Sequence, residues 1–352
     1  MLRETLVEAP ATWRDGDGPE VDVVVYTAAS LRRNVADFPF PAHCTEYERR
    51  SVEERVLSAL ESAPEIDRDR YVVLERVDEE TLRLLAEGQW IPADCLDREG
   101  DSGVLIGRDR RLSVIVNGED HIRTAVTLAG LQAQEAWGQA DGLDDRLGMA
   151  LDFAYHEEFG YLTASLAHTG SGLEMRGLLH LPGLAMANEI PEQQEAARAS
   201  RHALENAFGG KRQGRGDLYI LRNVVSLGRS EEELVFRFRH LAQALIEQER
   251  RARARMMEET PIMVADRVHR ALGTAQSARL LDADEALSVI SALRWGAASG
   301  AISGLSWRAL NDLLVLSRPA HVRARLTRDA DDLAQSMERA ALFRTCCAQA
   351  DA

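Results

Sequence analysis

Apolar residues recur along this chain with two different periods. The β-branched run VDVVVYTAAS (21–30) predicts a buried strand, and the prolines of FPFPAH exclude a helix directly after it. Between 45 and 63, Val52, Val56, Leu57 and Leu60 recur at helical spacing among interleaved charges, which predicts an amphipathic helix. YVVLERV (71–77) reads as a strand, and residues 79–87 as a short helix closed by Gly88. GVLIGRD and RLSVIVNGEDH follow as a hairpin-like pair, in which Leu112, Val114 and Val116 share one face.

Few breakers interrupt residues 130–157, where two helical stretches are expected; GYLTASLAHTGSGLEMRGLLHLPGLAMANEI then returns to strand and loop. Residues 193–208 continue as helix, FGGKRQGRGD (208–217) as a glycine-rich loop and DLYILRNVVSLG as a strand. SEEELVFRFRHLAQALIEQERRARARM predicts a long helix with Ser230 as N-cap and Glu233 at the capping-box position. From about Pro261 the pattern is wholly helical, over 286–297, 305–316 and 322–342, with SGAISG and SRPAH between. The expectation is an α+β domain over 1–258 followed by a helical lobe over 259–352, without internal repeats.

Composition narrows the classes. The chain has 352 residues, 45% apolar and 28% charged, and no run near 18 residues escapes a charge, so no membrane span is expected. MLRETLVEAPATW carries early acids and no apolar core of signal-peptide length, which predicts a cytoplasmic protein. A net charge of −15 argues against broad nucleic-acid binding. Cys44 and Cys95 stand far apart and Cys346 and Cys347 are adjacent; no metal-ligand spacing results, and reduced thiols without a metal are expected. Lys211 is the single lysine among 42 basic residues, so almost every cation is a planar fork suited to carboxylates or phosphates.

Three segments could carry chemistry. VNGEDHIR places Glu119, Asp120, His121 and Arg123 at a strand end, where a carboxylate could act as general base; a charged turn facing water has the same composition. TGSGLEMRG has the glycines of a phosphate-cradling loop but no following lysine, and it fits an ordinary turn equally well. Lys211, Arg212 and Arg215 could grip a phosphate or simply be solvated.

Taken in order, LRRNVADFPFP, VNGEDHIR, LDFAYHEEFGYLT, GSGLEMRGLLHLP, LYILRNVVSLGRSEEEL and ALSVISALRWGAASGAISGLSWRALNDLLVLSRPAH resemble the bacterial protein-arginine kinases of the guanidino (phosphagen) kinase family. The resemblance covers nearly the whole chain. It implies a phosphagen-kinase catalytic domain, an antiparallel sheet flanked by helices, and then a helical C-terminal lobe. It also implies transfer of the γ-phosphoryl group of Mg-ATP to a guanidinium, with a carboxylate base and a clamp of arginines on the phosphates.

Position by position, the resemblance assigns the base to Glu119, with Gly118 where a second glutamate is usual, and a nucleotide arginine to Arg123. Four other arginines are missing. Ala28 and Ser30 occupy the Arg-x-Arg positions, Glu174 follows Gly-Ser-Gly-Leu, and Glu205 lies fifteen residues before Ile220, itself in place of a polar residue near the ribose. Gly210 replaces a loop glutamate and Ser165 the usual cysteine. Arg176 and Arg32, each two residues from a vacated position, are possible substitutes because a shift of two keeps the same strand face. In the tail, Arg339, Ala340, Leu342 and Arg344 match a phosphoarginine-binding element, whereas Gln335 and Ser336 stand where it has Arg-Asp.

Losing one charge-stabilising group costs about 10²- to 10³-fold in rate, and a unit charge pair at about 4 Å in a partly buried site is worth about 4 kcal/mol with either sign. The sequence therefore predicts a family member that has lost ATP-dependent transfer and acts by binding in protein quality control, with no cofactor. The alternative is an active kinase with rearranged arginines and Mg-ATP. Expected partners are a second copy of the chain, an active kinase paralogue, a zinc-finger activator or a Clp-type protease component.

Overall fold

The computed structural model describes residues 11–67, 70–92, 95–96, 102–208, 215–326 and 330–351. Its centre is an eight-stranded, wholly antiparallel sheet in the order β2-β3-β4-β5-β1-β8-β10-β9. The strands are β1 (Val24–Arg33), β2 (Tyr71–Val73), β3 (Gly103–Ile106), β4 (Leu112–Val116), β5 (Ile122–Ala129), β8 (Leu173–His180), β9 (His202–Asn206) and β10 (Leu218–Asn223). A separate two-residue hairpin, β6 (Tyr155–His156) and β7 (Gly160–Tyr161), stands beside it.

One face of the sheet is closed by helices α1 (Glu46–Ala59), α3 (Ala133–Gly148) and α6 (Glu231–Glu259). The alternation on β4 works as expected: Leu112, Val114 and Val116 join this core, with Ala136, Ala140 and Leu143 of α3 and Leu234 and Phe238 of α6, while Ile115 points to the opposite face. Local signals fix the helix starts. Thr45 and Glu48 form a reciprocal capping box on α1, and Ser230 accepts from Glu233 N on α6. The reciprocal half is not made on α6, because Arg237 donates to the Glu233 carboxylate and Arg229 also pairs with it.

The remaining helices are α2 (Glu79–Glu87), α4 (Pro182–Met186), α5 (Ile190–Ala199), α7 (Pro261–Ser277), α8 (Ala283–Ser299), α9 (Trp307–Leu316), α10 (Pro319–Ala324) and α11 (Asp332–Cys346). Helices α7 to α11 form the tail, which packs onto the opposite face of the sheet: Tyr26, Leu178 and Ile220 share one apolar cluster with Leu287, Ile290, Leu310 and Leu314. A polar seam reinforces the junction. Asp217 accepts from Ser291 Oγ (2.6 Å) and from Arg267, while His180 Nε2 lies 2.9 Å from the same hydroxyl.

Several local expectations need correction. Residues 193–208 are not one helix: α5 ends at Ala199, and 202–206 become the edge strand β9 through pairing with β10. Residues 130–157 hold one helix and then strand β6. YVVLERV extends only to Val73 before a 3₁₀ turn, Leu74–Arg76. The expected helix over 322–342 is split into α10 and α11. Gly88 ends α2 with φ −76°, so its left-handed freedom is not used. Lys211, Arg212 and Gly210, and most of the 208–217 loop, lie outside the described residues.

Candidate active site

The pleat decides which side chains share the open face. On β1, Ala28, Ser30 and Arg32 point one way and Ala29, Leu31 and Arg33 the other. Strand register carries that division sideways. Ala28 pairs with Thr127 and Arg176, Ser30 with Ala125 and Glu174, and Arg32 with Arg123. Arg222 on β10 lies opposite Arg176, and Ile220 lies between Leu178 and Glu205. Ala28, Ser30, Arg32, Arg123, Glu174, Arg176, Glu205 and Ile220 therefore share one face of five neighbouring strands.

Glu119 sits in the turn 117–121 that joins β4 to β5. Its neighbours Asn117, Asp120 and His121 are buried, whereas Glu119 is half-buried and its carboxylate pairs with no described residue. Asp120 anchors the turn by accepting from Asn34 Nδ2 and Ala164 N, both at 2.7 Å. His121 Nδ1 accepts from Val35 N (3.1 Å), and burial lowers its pKa to about 4, so it is neutral at pH 7. Cys44 lies 3.5 Å from His121 Nε2, but burial raises its pKa, which does not favour a nucleophilic thiolate.

The charged centre of the face is an arginine–carboxylate cluster. Glu174 accepts from Arg32 Nη2 at 3.0 Å and lies 3.9 Å from Arg123 Nη2; Arg32 Nε is 3.9 Å from Asp120. Burial alone would raise the Glu174 pKa, but Arg32, Arg123 and His168 outweigh it and bring it to about 2. Burial and then Arg32 lower Arg123 to about 10, so it stays charged. His168 is brought to about 4 by burial and Arg32, and is neutral at pH 7. Three guanidiniums, of Arg32, Arg123 and Arg176, face two carboxylates, leaving one net positive charge. Arg32 Nη1, Arg123 Nε and Arg176 Nε are buried without a hydrogen-bond acceptor, and Arg176 makes no side-chain hydrogen bond or ion pair with the described residues.

The other positions singled out in the sequence have different surroundings. Glu205 is exposed and accepts from Arg222 Nε (3.3 Å) and Nη2 (3.2 Å). Ile220 is buried in the apolar cluster shared with the tail. The glycine turn before β8 is a support for the sheet: Arg33 Nη1 donates to Ser171 O (2.8 Å), and Gly172, at φ 73°, leaves the room that Arg33 and the Arg32 carbonyl occupy. Ser165 is half-buried, and its carbonyl accepts the Thr163 hydroxyl at 2.8 Å. In the tail, Arg339 donates to Ser317 O (2.7 Å) and Leu281 O (2.9 Å), and Arg344 to Ala278 O (2.5 Å). Gln335 and Ser336 lie half-buried on α11.

Sequence reasoning did not assign Asp120 its anchoring part, and it gave no site role to His168, Trp13, Gln89 or Phe208. Trp13, Gln89 and Phe208 come from segments without a motif, whereas His168 ends the stretch from Ser165 that the resemblance matches and Asp120 lies in the family segment VNGEDHIR. No group of three or more His, Cys, Asp or Glu side chains among the described residues is arranged to hold a metal. Nor is any helix among them long and apolar enough to cross a membrane.

Sheet topology and the arginine-bearing face define a guanidino-phosphotransferase fold, and the comparisons agree. Residues 51–252 match the family model "ATP:guanido phosphotransferase, C-terminal catalytic domain" and residues 261–352 match "Protein-arginine kinase McsB C-terminal domain". The protein-arginine kinase of Halothermothrix orenii is 32% identical over 345 residues, 98% of each chain, and that of Symbiobacterium thermophilum 32% identical over 348 residues, 97% of this chain and 98% of that one. The chain belongs to the protein-arginine kinase family. Solved structures with the same fold include lombricine kinase (TM-score 0.58, 19% identity, 70% of this chain and 71% of that one). Another is the duplicated taurocyamine kinase of Schistosoma mansoni (TM-score 0.59, 19% identity, 78% of this chain and 41% of that one).

Proposed function

We propose that this chain is a protein-arginine kinase homologue that has lost ordinary ATP-dependent phosphoryl transfer and works as a binding or regulatory protein in protein quality control. The observation that carries the reading is the position of Glu174. Its carboxylate pairs with Arg32, the substitute, at 3.0 Å and approaches Arg123, the retained arginine, at 3.9 Å, so both cations already have an internal anion. A nucleotide phosphate there meets a carboxylate where the family has an arginine, and at about 4 Å a unit charge pair is worth about 4 kcal/mol with either sign. Vacated positions Ala28 and Ser30 supply no cation, and Ile220 offers the ribose no hydrogen bond.

In this reading Mg-ATP is not a cofactor, and the protein acts in the cytoplasm as a homodimer. Its partners are an active kinase paralogue, a zinc-finger activator or a Clp-type protease component. The tail is a weaker candidate for phosphoarginine binding, since Arg339 and Arg344 donate to backbone carbonyls.

A second reading, an active ATP:protein-arginine phosphotransferase, is favoured by Glu119 and Arg176, neither of which is paired among the described residues. In that case Glu119 would hold and deprotonate the guanidinium, while Arg123, Arg176 and Arg32 contact the phosphates. Incubation with Mg-ATP and an arginine-rich protein separates the two. The expected outcome is no acid-labile phosphate by mass spectrometry above a Glu119→Ala control, and no micromolar Mg-ATP binding by calorimetry. Signal that depends on Glu119 would establish the second reading.

A further inference from the structure

Between the open face of the sheet and the tail lies a cavity of about 330 Å³. Tyr26, Leu178 and Ile220 form its floor, and Leu314, Val315 and Arg318 of the tail form the opposite wall. That volume is within the range of small-molecule sites. A smaller recess, of about 40 Å³, shares Tyr26, Gln89, Ile91, Pro92 and Arg176 with it and extends toward Arg123 and Glu174. Arg176 thus stands at the junction of the larger chamber, whose floor is apolar, and the recess that holds Arg123 and Glu174.

The walls carry more hydrogen-bond donors than acceptors. Trp13 is 2% exposed, and neither its indole Nε1 nor the buried Arg176 Nε has an acceptor among the described residues. Gln89 Oε1 is taken by the Tyr26 hydroxyl at 2.9 Å. The one carboxylate among the described lining residues, Glu87, is spent on the start of α10, accepting from Ala320 N (3.0 Å), His321 N (3.1 Å) and His321 Nδ1 (2.8 Å). Arg318 lies over the Phe208 ring (4.8 Å to its centroid) and reaches Glu87 only at 4.0 Å. Buried donors without acceptors are unfavourable, so the chamber favours an occupant that brings acceptors and negative charge. The apolar floor and the tilted Trp13–Tyr26 ring pair (centroids 5.1 Å apart) favour a flat or apolar body.

We infer that this cavity binds a small amphipathic anion, an apolar or aromatic body carrying a single carboxylate or phosphate monoester, with the oxyanion on Arg176 and the body between Tyr26, Ile220 and Phe208. The charged lining of the recess, Arg123 and Arg176 against Glu174, leaves one positive charge, which matches one oxyanion and not a polyphosphate. Because the ligand spans sheet and tail, binding holds the two lobes together. The inference rests on the reading that a nucleotide no longer occupies this face.

The test is calorimetric titration of the full chain with 1-naphthyl phosphate, 1-naphthoate, inorganic phosphate and Mg-ATP. At least tenfold tighter binding of a naphthyl anion than of inorganic phosphate is expected, and the two naphthyl compounds tell phosphate from carboxylate preference. Arg176→Met, which breaks no side-chain hydrogen bond or ion pair among the described residues, should weaken that binding at least tenfold, and Ile220→Trp should block it by filling the floor. Equal binding of phosphate and both naphthyl anions, or unchanged affinity in Arg176→Met, overturns the inference. Absence of naphthyl binding together with absence of ATP binding overturns it alone. Micromolar Mg-ATP binding that displaces the naphthyl compound overturns the proposed function and the inference with it.

Discussion

Arg32 and Arg33 are neighbours on one strand and face opposite sides of the sheet. Arg33, on the helix-backed side, is 1% exposed and has partners all round: Asp144 (2.9 Å) and Glu231 (3.2 Å) through side chains, Arg32 O and Ser171 O through Nη1, and the Tyr161 ring 3.7 Å from its Cζ. Arg32, on the open side, is 8% exposed, and its bonding to Glu174 and Asp120 leaves Nη1 without an acceptor. Burial is similar; satisfaction is not. A guanidinium whose donors are all used holds elements together, while one with a spare donor can still take up an added acceptor. The Glu174 carboxylate limits that availability, and its effect is local to the open face.

The largest effect should come from Arg33→Met. It leaves the buried Asp144 and the half-buried Glu231 without their cation and should cost about 4 kcal/mol in chemical denaturation; a loss under 1 kcal/mol would erase the contrast between the two faces. Glu174→Gln should cost less, about 2 kcal/mol at pH 7, because Asp120 still neighbours Arg32. Its signature is in the acid limb. With a folded pKa of about 2 against an ordinary 4.5, the wild-type carboxylate contributes stability that is present above about pH 4.5 and lost as pH falls toward 2. The variant should lack that component, and an unchanged acid limb would mean Glu174 is not the anion of the cluster. Glu205→Gln should change stability least, by about 0.5 kcal/mol, since its bond to Arg222 is solvent-exposed. A larger effect would place Glu205 in the same class as Glu174.

Much of the fold follows from local signals: the β1, β4 and β10 runs, the Thr45 and Ser230 caps, and the Gly and Pro breaks of the tail. What escaped is conformation imposed from a distance. His202–Asn206 contains helix-forming Ala, Leu and Glu, and becomes a strand because β10 offers an unpaired edge. At the site, period two places Ser30 and Arg32 on one face without any structure, and the family motif points to Glu174. That Glu174 meets Arg32 and Arg123 depends on the lateral register of three strands, which no single segment encodes. The cavity is less legible still, because its walls come from the 3₁₀ turn at Trp13, the end of α2 and the tail.

The seam between sheet and tail has a consequence for how the molecule comes apart. Gly216, at φ 66°, lies so close to Leu287 that a Cβ there would come within 2.8 Å of the Leu287 carbonyl oxygen, and the cluster containing Leu178 and Ile220 continues into α8 and α9. Two regions that match separate family models should therefore melt as one cooperative unit. A single calorimetric endotherm, and loss of both lobes' amide-exchange protection at the same denaturant concentration, would mark the tail as part of the domain's own stability.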